Sequence, residues 1–296
     1  WTWPDPRLWD LGQPNLYTLV LKVQGAGIDD EMSQTFAQTM SLNPPIRDWQ
    51  GVRVWIVGAS TGIGADLARQ LAAKGARIAA SARNAAALAA LCKEIPGARP
   101  FPLDITDAAR VRSAHEAIVK SFGGVDLTVF VAGMYVAVRA WELTVEVARK
   151  QVEANLMGVY NGLAVVLPEL VARGSGGVAI VSSVAGYRGL PKSLVYGATK
   201  AALINVAETL YLDLQPKGIA VYVINPGFVE TPMTAQNDFK MPALIKSDEA
   251  AREIVAGFER GEFEIHFPKR FTGWLKLLQK LPYPAYFAAV RRFTGL

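Results

Sequence analysis

Short apolar runs rich in β-branched residues alternate with stretches of helical periodicity from about residue 49 onward. Seven of these runs are typical of strands: 52–57, 77–81, 100–103, 127–132, 178–182, 219–224 and 263–267. Because helical patterns fill most of the gaps, we expect parallel strands joined by crossover helices. The pattern therefore predicts an α/β fold, a doubly wound parallel sheet of seven strands with helices on both faces. Ligands bind such sheets beyond the carboxyl ends of the strands, so functional residues are expected just after each strand.

The two ends of the chain differ from this central pattern. Residues 1–48 contain three tryptophans and five prolines around one alternating, strand-like stretch, which is too little to build a core. We interpret them as an N-terminal extension that is foreign to the main domain or comes from a mis-started reading frame, with Met40 as the candidate start. Residues 49–268 are expected to form the main domain, and residues 269–296 a basic, amphipathic tail.

Composition supports a folded, cytoplasmic protein. Hydrophobic residues make up 51% of the chain and charged residues 19%, which favours a large buried core over disorder. The single cysteine, Cys92, excludes an internal disulfide and favours a reducing compartment. With only two histidines besides, few ligands remain for a metal, and no metal site is predicted. The longest mainly apolar run without a charge, 154–168, is too short for a membrane-spanning helix, so none is expected.

The net charge of +5 is unevenly distributed along the chain. Residues 269–296 hold six basic side chains and no acidic one, so the rest of the chain is nearly neutral. Binding to a nucleic acid needs a basic face on the fold itself, and no nucleic-acid partner is therefore predicted. The tail leaves two alternatives open: peripheral contact with a membrane through its lysines and aromatic rings, or packing over the pocket or a partner subunit.

A glycine-rich turn follows the first strand. Three glycines have the spacing Gly-x-x-x-Gly-x-Gly, and a helical pattern begins within the turn. Glycines permit a tight turn and close approach of the backbone, so a pyrophosphate can lie against the free amides at the positive end of the helix. The turn therefore predicts a dinucleotide cofactor held by Gly58, Ser60, Thr61, Gly62, Ile63 and Gly64.

The end of the second strand indicates which dinucleotide binds. Folds that bind NAD usually place a carboxylate here for the ribose hydroxyls, but none follows Ser81. Arg83 stands there instead, a planar cation suited to a 2′-phosphate, with the hydroxyls of Ser60 and Thr61 nearby in the turn. NADP(H) is therefore favoured over NAD(H). The alternative is that Arg83 is only a solvated surface residue.

A tyrosine and a lysine four residues apart open the helix after the fifth strand. Tyr196 and Lys200 lie on one helical face, where an ammonium group is expected to lower the pKa of the phenol and make it a usable general acid or base. Ser182 and Ser183 end the preceding strand, so a hydroxyl lies at the same edge of the sheet. Such a hydroxyl can hydrogen-bond a carbonyl oxygen on its way to alkoxide.

Together these residues resemble the short-chain dehydrogenase/reductase family over residues 49–267. The glycine spacing matches that family's cofactor turn, and Ser183, Tyr196 and Lys200 match its catalytic group, with Asn155 as the fourth member. The resemblance implies a Rossmann-like fold, an oxidoreductase, and a homodimer or homotetramer. It also implies that one aspartate contacts the adenine and that the segment 225–231 holds the nicotinamide carboxamide. Outside the turn, the expected cofactor contacts are Arg83, Asp104, Ala132, Gly133, Tyr196, Lys200, Pro226, Gly227, Val229 and Thr231.

One segment departs from the family pattern. Where the family commonly has Asn-Asn-Ala-Gly after the fourth strand, this chain has Phe130, Val131, Ala132 and Gly133. Alanine and glycine keep the backbone close to the cofactor, but two polar side chains are replaced by apolar ones. The sequence leaves open how this segment supports the nicotinamide ribose, whereas the proton-transfer group is unaffected.

The resemblance implies an enzyme that interconverts a carbonyl and an alcohol with NADP(H), with Tyr196 as the general acid/base. Lys200 would bind the nicotinamide ribose, Ser183 would orient the substrate oxygen, and Asn155 would hold a water that links Lys200 to solvent. The segments expected to meet the substrate, which are 134–138, 184–194 and 232–244, are mostly apolar and favour a small hydrophobic ketone or alcohol. The alternative is a catalytically silent nucleotide-binding sensor of the same fold.

A second resemblance concerns only the N-terminal end. Residues 1–37 are similar to part of the β-sandwich domain of family 2 glycoside hydrolases, over a strand or two of such a domain. The barrel that carries the catalytic carboxylates of those enzymes has no counterpart in this sequence. A hydrolase is therefore not expected.

Overall fold

The computed structural model describes residues 41–236 and 241–294. The predicted N-terminal extension and its glycoside hydrolase resemblance fall mainly on residues 1–40 and lie outside the described residues. Residues 41–48, which the sequence grouped with that extension, contact the main domain. The buried side chain of Asn43 donates to the carbonyl of Val221 at 2.8 Å and accepts from its amide at 3.0 Å. The domain therefore includes residues 41–48.

The seven predicted strands form one parallel sheet. Their bounds are β1 Arg53–Val57, β2 Arg77–Ser81, β3 Arg99–Pro100, β4 Leu127–Phe130, β5 Gly177–Val181, β6 Ala220–Pro226 and β9 Glu264–Phe267, while β7 Val229–Glu230 and β8 Ile245–Lys246 pair only with each other. The strand order is β3-β2-β1-β4-β5-β6-β9, and each neighbouring pair is parallel. The order reverses between β1 and β4, as a doubly wound sheet requires, so the predicted fold class is confirmed.

The third strand is shorter than predicted. The sequence placed it at 100–103, but the strand spans Arg99–Pro100. Beyond it, the amide of Phe101 still donates to the carbonyl of Ala80 in β2 at 2.8 Å, and the amide of Leu103 donates to that of Ala82, just after β2, at 3.1 Å. Pro100 and Pro102 have no amide hydrogen, which interrupts the ladder and confines such a segment to the edge of a sheet.

Helices fill the connections between strands. Their bounds are α1 Gly62–Ala73, α2 Ala85–Glu94, α3 Ala108–Phe122, α4 Val145–Val152, α5 Gly158–Arg173, α6 Leu194–Leu214, α7 Ser247–Arg260, α8 Lys269–Gln279 and α9 Tyr283–Thr294. Local signals set several ends. The Asp107 carboxylate accepts from two amides of the first turn of α3, and Gly123 ends that helix in a left-handed conformation.

Two apolar layers enclose the sheet. Helices α1, α2 and α7 cover one face, where Leu67 and Phe258 are fully buried. Helices α3, α5 and α6 cover the other, where Ile118 and Leu163 are buried against the strands. Because both faces are covered, the strands are apolar on both sides, which explains their continuous hydrophobic runs.

The described residues include one helical run that is long and apolar enough to cross a membrane by length and composition alone. It spans Val145–Arg173, 29 residues, and comprises α4, a π-helical turn and α5. The sequence predicted no membrane-spanning helix, because the longest mainly apolar run without a charge covers only residues 154–168. Val159 and Leu163 in this run are buried in the apolar layer beside the sheet. A core helix passes the same test, so the run is weak evidence for a membrane span.

Candidate active site

A cleft opens at the carboxyl edge of the sheet, where the strand order predicts a ligand site. It has a volume of about 420 Å³, and its lining comes from segments that follow β1, β2, β3, β4, β5 and β6. The predicted site residues that line it are Gly58, Ser60, Thr61, Gly62, Ile63, Arg83, Asp104, Ala132, Gly133, Ser183, Tyr196, Lys200, Pro226, Gly227, Val229 and Thr231. Gly64 and Asn155 are the two predicted site residues outside this lining.

The three glycines of the turn stand at positions that leave no room for a side chain. A Cβ atom on Gly58 would lie 2.4 Å from the amide nitrogen of Ala132, and one on Gly64 would lie 2.2 Å from the carbonyl oxygen of Gly58. A Cβ on Gly62 would lie 2.8 Å from the methyl group of Thr231. Gly58 and Gly62 also have φ angles of +101° and +55°, which are strained for other residues. A different close contact therefore requires glycine at each of the three positions. Gly64 lies behind the cleft, where the missing side chain lets the turn close.

The first turn of α1 is suited to an anion. Thr61, the N-cap residue, makes no side-chain capping hydrogen bond to the described residues. Amides at a helix N-terminus carry partial positive charge and lack partners within the helix. The amides at this helix end are not capped by a side chain, and the glycines beside them carry no Cβ that would keep a ligand away. Together they provide the backbone surface that a pyrophosphate needs. The residues present therefore fit a dinucleotide.

Two charged side chains flank the cleft where β2 and β3 end. Arg83 is exposed, and its charge favours the ionised form of Asp104. Burial raises the pKa of Asp104, but hydrogen bonds from the amide and hydroxyl of Thr106, at 3.0 and 2.8 Å, and the charges of Arg83 and Arg110 bring this pKa below its usual value. The cleft thus has an ionised acceptor and a cation at neighbouring strand ends.

The predicted catalytic side chains meet where β5 and α6 face each other. Ser183 follows β5 and hydrogen-bonds the phenol of Tyr196 near the start of α6. The ring of Tyr196 packs edge-on against Tyr135, with ring centroids 5.1 Å apart. The ammonium of Lys200, one turn further along α6, lies 5.6 Å from the centre of the Tyr196 ring. The structure therefore brings the serine, tyrosine and lysine together at one edge of the sheet.

The pKa of Tyr196 differs from the sequence-based expectation. Burial of the phenol is the largest cause and raises the pKa of Tyr196 to about 12, and Tyr135 adds to the rise, while the hydrogen bond with Ser183 opposes it. Lys200, which was expected to lower this pKa, faces the ring and donates to the carbonyl of Val181 at 2.8 Å. Tyr196 is therefore a neutral phenol near pH 7, the form that a proton donor needs.

Lys200 is buried and poorly solvated. Only 3% of the residue is exposed, and burial lowers the pKa of its ammonium to about 8. A Cβ atom on Gly133 would lie 3.6 Å from its Nζ, so this glycine leaves the ammonium directly against the backbone that follows β4. A lysine that titrates near neutral pH and lines a cleft is a common feature of functional sites.

The pKa of Lys200 predicts a pH-dependent stability. Because the pKa falls from 10.5 to about 8 on folding, the unfolded chain binds more protons between these pH values. The free energy of unfolding should therefore rise by up to about 3 kcal/mol across this window, with the full penalty present below pH 8. Denaturant unfolding of wild type and Lys200→Met at several pH values isolates this contribution as their difference.

The same comparison has a control and a contradicting outcome. Lys280 is exposed directly after α8, so Lys280→Met controls for the loss of a lysine as such. We expect the difference between wild type and Lys200→Met to be flat below pH 8 and to rise above it. A difference that stays flat up to pH 10.5 would show that burial does not perturb Lys200.

Asn155 lies behind the cleft in the π-helical turn Glu153–Met157 and is fully buried. Its Oδ1 accepts from the amide of Met134 at 2.7 Å, and its Nδ2 donates to the carbonyl of Met134 at 2.9 Å and to Oγ1 of Thr199 at 3.1 Å. The side chain therefore fixes the backbone after β4 against α6. Helices adopt π turns frequently at functional sites. The predicted bridging water is not tested by these contacts.

The unusual segment after β4 has a packing explanation. Phe130, the last residue of β4, is buried against α5, where a Cβ on Gly162 would lie only 2.1 Å from its ring. Val131 and Ala132 both direct their amides to the carbonyl of Val57 at 2.8 Å, and both line the cleft. The backbone at the cleft is thus held by β1 without polar side chains from this segment.

Sequence analysis missed some residues that line the cleft. Asn84 and Thr106 line the cleft just after β2 and β3. They could have been predicted, because ligands bind such sheets beyond the carboxyl ends of the strands. Thr234 lies in the segment 232–244, which the sequence predicts to meet the substrate, and it also lines the cleft. Its hydroxyl donates to the carbonyl of Val229 at 2.6 Å, a contact that the sequence did not predict.

A doubly wound sheet with a glycine-lined cleft at its carboxyl edge defines a nucleotide-binding protein. Residues 53–241 match the family described as short chain dehydrogenase. An uncharacterized oxidoreductase of Myxococcus xanthus is 37% identical over 241 residues, which are 80% of this chain and 95% of the relative. The chain therefore belongs to the short chain dehydrogenase family and is an oxidoreductase of that family.

Solved structures support the same assignment. A short chain dehydrogenase from Burkholderia cenocepacia, in complex with NADP, is 25% identical with a TM-score of 0.73, covering 82% of this chain and 98% of its own. A short chain dehydrogenase/reductase from Burkholderia phymatum, in complex with NAD, is 21% identical with the same TM-score, covering 79% and 94%. Both dinucleotides thus occur among proteins of this fold.

Proposed function

We propose that this protein interconverts a carbonyl and an alcohol with NADP(H), with Tyr196 as the general acid/base. The observation that carries the proposal is the meeting of Ser183, Tyr196 and Lys200 at a cleft whose glycine turn fits a dinucleotide. The reaction needs a hydride source, a proton donor and a group that holds the carbonyl oxygen. The bound reduced nicotinamide supplies the hydride, and the chain supplies the other two.

Each side chain has a distinct role in this proposal. Tyr196, neutral near pH 7, gives its proton to the carbonyl oxygen as that oxygen gains negative charge. Ser183 hydrogen-bonds the phenol and orients the substrate oxygen beside it. Lys200 binds the nicotinamide ribose and, when protonated, stabilises the phenolate that proton transfer leaves behind. Asn155 positions the backbone of Met134 and Gly133 against Lys200. Alcohol oxidation uses the same groups in reverse.

The remaining cleft residues hold the dinucleotide in this proposal. The glycine turn and the start of α1 receive the pyrophosphate, and Asp104 contacts the adenine. Pro226, Gly227, Val229 and Thr231, which line the cleft after β6, hold the nicotinamide end. No described group of histidine, cysteine, aspartate and glutamate side chains could hold a metal ion. The proposed chemistry relies on side chains and nucleotide alone.

Arg83 carries the proposed preference for NADP(H). It is exposed at the cleft, at the strand end where a ribose 2′-phosphate would need a cation. We expect Arg83→Ala to lower kcat/KM for NADPH by about tenfold or more, since a charged hydrogen bond to phosphate is lost, and to leave that for NADH nearly unchanged. Steady-state kinetics with both cofactors measures this. Arg112→Ala, an exposed arginine outside the cleft, is the control, and an equal loss with both cofactors contradicts the assignment.

The proposed substrate is a small hydrophobic ketone or alcohol. Val131, Met134, Pro232 and Met233 give the cleft an apolar wall. Apolar walls with a few convergent polar groups are typical of small-molecule sites. A ketone fits such a wall with its oxygen directed at Ser183 and Tyr196.

The alternative of a catalytically silent sensor makes a different prediction. A sensor binds the dinucleotide but does not oxidise it. The test is a screen of NADPH and NADH oxidation against a panel of ketones and aldehydes, with fluorescence titration of both cofactors in parallel. Substrate-dependent oxidation of NADPH supports the proposal, and binding without oxidation across the panel favours the sensor.

Other expectations from the sequence stay predictions. These are a homodimer or homotetramer, a cytoplasmic location, and peripheral membrane contact through residues 269–296. The side chains of Trp274 and Leu277 on α8 and of Phe287 on α9 are exposed. Exposed apolar side chains on a basic helix favour contact with a membrane surface. The other alternative is that the tail packs over the pocket or a partner subunit.

A further inference from the structure

Three consecutive residues of the segment between Ser183 and α6 are held by the C-terminal part of the chain. The phenol of Tyr187 donates to Glu264 at 2.6 Å, and the guanidinium of Arg188 points to the end of α8. The carbonyl of Gly189 accepts from the phenol of Tyr286 on α9 at 2.8 Å. This segment is one of those expected to meet the substrate, so its conformation bears on the site.

Glu264 is the first point of attachment. Its carboxylate accepts from Tyr187, from the side-chain amide of Asn225 at 2.9 Å, and from the ammonium of Lys276 on α8. Burial raises the pKa of Glu264, but these three donors and the charge of Lys276 bring it below its usual value. An ionised carboxylate therefore joins the segment after β5, the end of β6 and helix α8.

Arg188 is the second point of attachment. Its Nη1 lies 3.3 and 3.1 Å from the carbonyl oxygens of Leu278 and Gln279, which end α8, and 2.7 Å from that of Leu281 just beyond the helix. A cation at this negative end of the helix is favourable. The guanidinium also lies over the rings of Tyr286 and Tyr283, at 4.0 and 4.7 Å. One side chain thus joins the segment to both C-terminal helices.

The other side of the same segment packs on the catalytic helix. A Cβ atom on Gly186 would lie 2.7 Å from the carbonyl carbon of Lys200, so the turn Val184–Gly186 rests directly on the backbone of α6. The hydroxyl of Ser182 donates to the carbonyl of Lys200 at 2.7 Å. The turn lies between the reaction centre on one side and the C-terminal attachments one to three residues further along.

We propose that helices α8 and α9 are a positioning element for the substrate side of the reaction centre, acting through Arg188, Tyr286 and the Glu264 carboxylate. The proposal rests on the proposed function. The helix pair holds the segment 184–193, and through it Ser183, in position against α6. The ring of Phe271 on α8 lies beside Gly227 and Phe228, but Arg188 contacts neither of these residues nor the glycine turn or Arg83. Removing the Arg188 contacts is therefore expected to leave dinucleotide binding intact.

The test compares three variants of the full chain. Arg188→Ala removes the contacts that the guanidinium makes with both helices, and Arg188→Lys keeps a cation at the end of α8. Arg292→Ala is the matched control on an exposed arginine of α9. We expect Arg188→Ala to lower kcat/KM for the carbonyl substrate by about tenfold, mainly through KM, because the lost contacts include charged hydrogen bonds. The Kd for NADPH should stay within about twofold of wild type, and Arg188→Lys should recover part of the loss. Arg292→Ala should match wild type.

Hydrogen exchange of the backbone gives a second readout. Amides of residues 184–193 should exchange faster in Arg188→Ala and Tyr286→Phe than in wild type and Arg292→Ala, while those of the glycine turn keep their wild-type rates. Unchanged kinetics and exchange in Arg188→Ala overturn the proposal, as does a parallel loss of NADPH binding. If wild type does not oxidise NADPH in the presence of any carbonyl compound of the panel, the proposed function fails. The exchange rates then decide alone whether the helix pair holds the segment.

Discussion

Replacing Tyr196 by phenylalanine is expected to lower kcat for carbonyl reduction by about 10²- to 10⁴-fold. The variant loses only the phenolic hydroxyl, which hydrogen-bonds Ser183 and is the proposed proton donor. The ring, its edge-on contact with Tyr135 and the nearby Lys200 ammonium remain. The Kd for NADPH should therefore stay close to the wild-type value. Stopped-flow reduction and fluorescence titration measure the two quantities separately.

The control for this experiment is the same substitution at the surface. Tyr160 is exposed on α5 and lies outside the cleft, so Tyr160→Phe should keep wild-type rates. Turnover of Tyr196→Phe at the wild-type rate would remove Tyr196 from the reaction. A loss of NADPH binding equal to the loss of rate would instead assign the tyrosine to the cofactor site.

Gly64→Ala is expected to weaken NADPH binding by about tenfold or more, because overpacking at such a contact costs on the order of 1–3 kcal/mol. The added methyl would lie 2.2 Å from the carbonyl oxygen of Gly58 and 3.1 Å from Cα of Ala59, both backbone atoms of the glycine turn. The turn must then open, which displaces the amides at the start of α1. Fluorescence titration with NADPH gives the affinity, and circular dichroism checks that the fold is retained.

A matched glycine tests whether the effect is local. Gly273 in α8 has open space around its Cβ position, and Gly273→Ala should bind NADPH like wild type and be slightly more stable. Wild-type affinity in Gly64→Ala would contradict the steric reason given for this glycine. It would also weaken the case for the turn as the pyrophosphate site.

Much of the fold and the cleft could be predicted because the signals are local. Short apolar runs predicted the strands. Helical patterns between the runs predicted crossover connections, and therefore a parallel sheet. The glycine turn, Ser183, Tyr196 and Lys200 stand at strand ends or helix starts, and parallel topology brings these positions to one edge. The third strand was predicted too long because Pro100 and Pro102 have no amide hydrogen to donate. The chain stays alongside β2 at the edge of the sheet, but only some of the ladder hydrogen bonds form.

Other features depend on contacts between distant parts of the chain. Spacing placed Tyr196 and Lys200 on one face but did not show that burial dominates the pKa values of both groups. The role of Asn155 follows from a π turn that directs its amide to Met134, and no sequence pattern marks such a turn. The contact of Arg188 with the end of α8 joins residues about ninety positions apart, so the sequence left the place of the tail undecided.

The most direct test of the proposed reaction follows the hydride itself. Wild-type protein is incubated with a hydrophobic ketone and NADPH in which both hydrogens at C4 of the nicotinamide are deuterium, and the product is analysed by mass spectrometry. We predict an alcohol with deuterium on the former carbonyl carbon, formed by wild type and not by Tyr196→Phe. Alcohol without deuterium, or equal labelled product from both proteins, would contradict hydride transfer with Tyr196 as the proton donor.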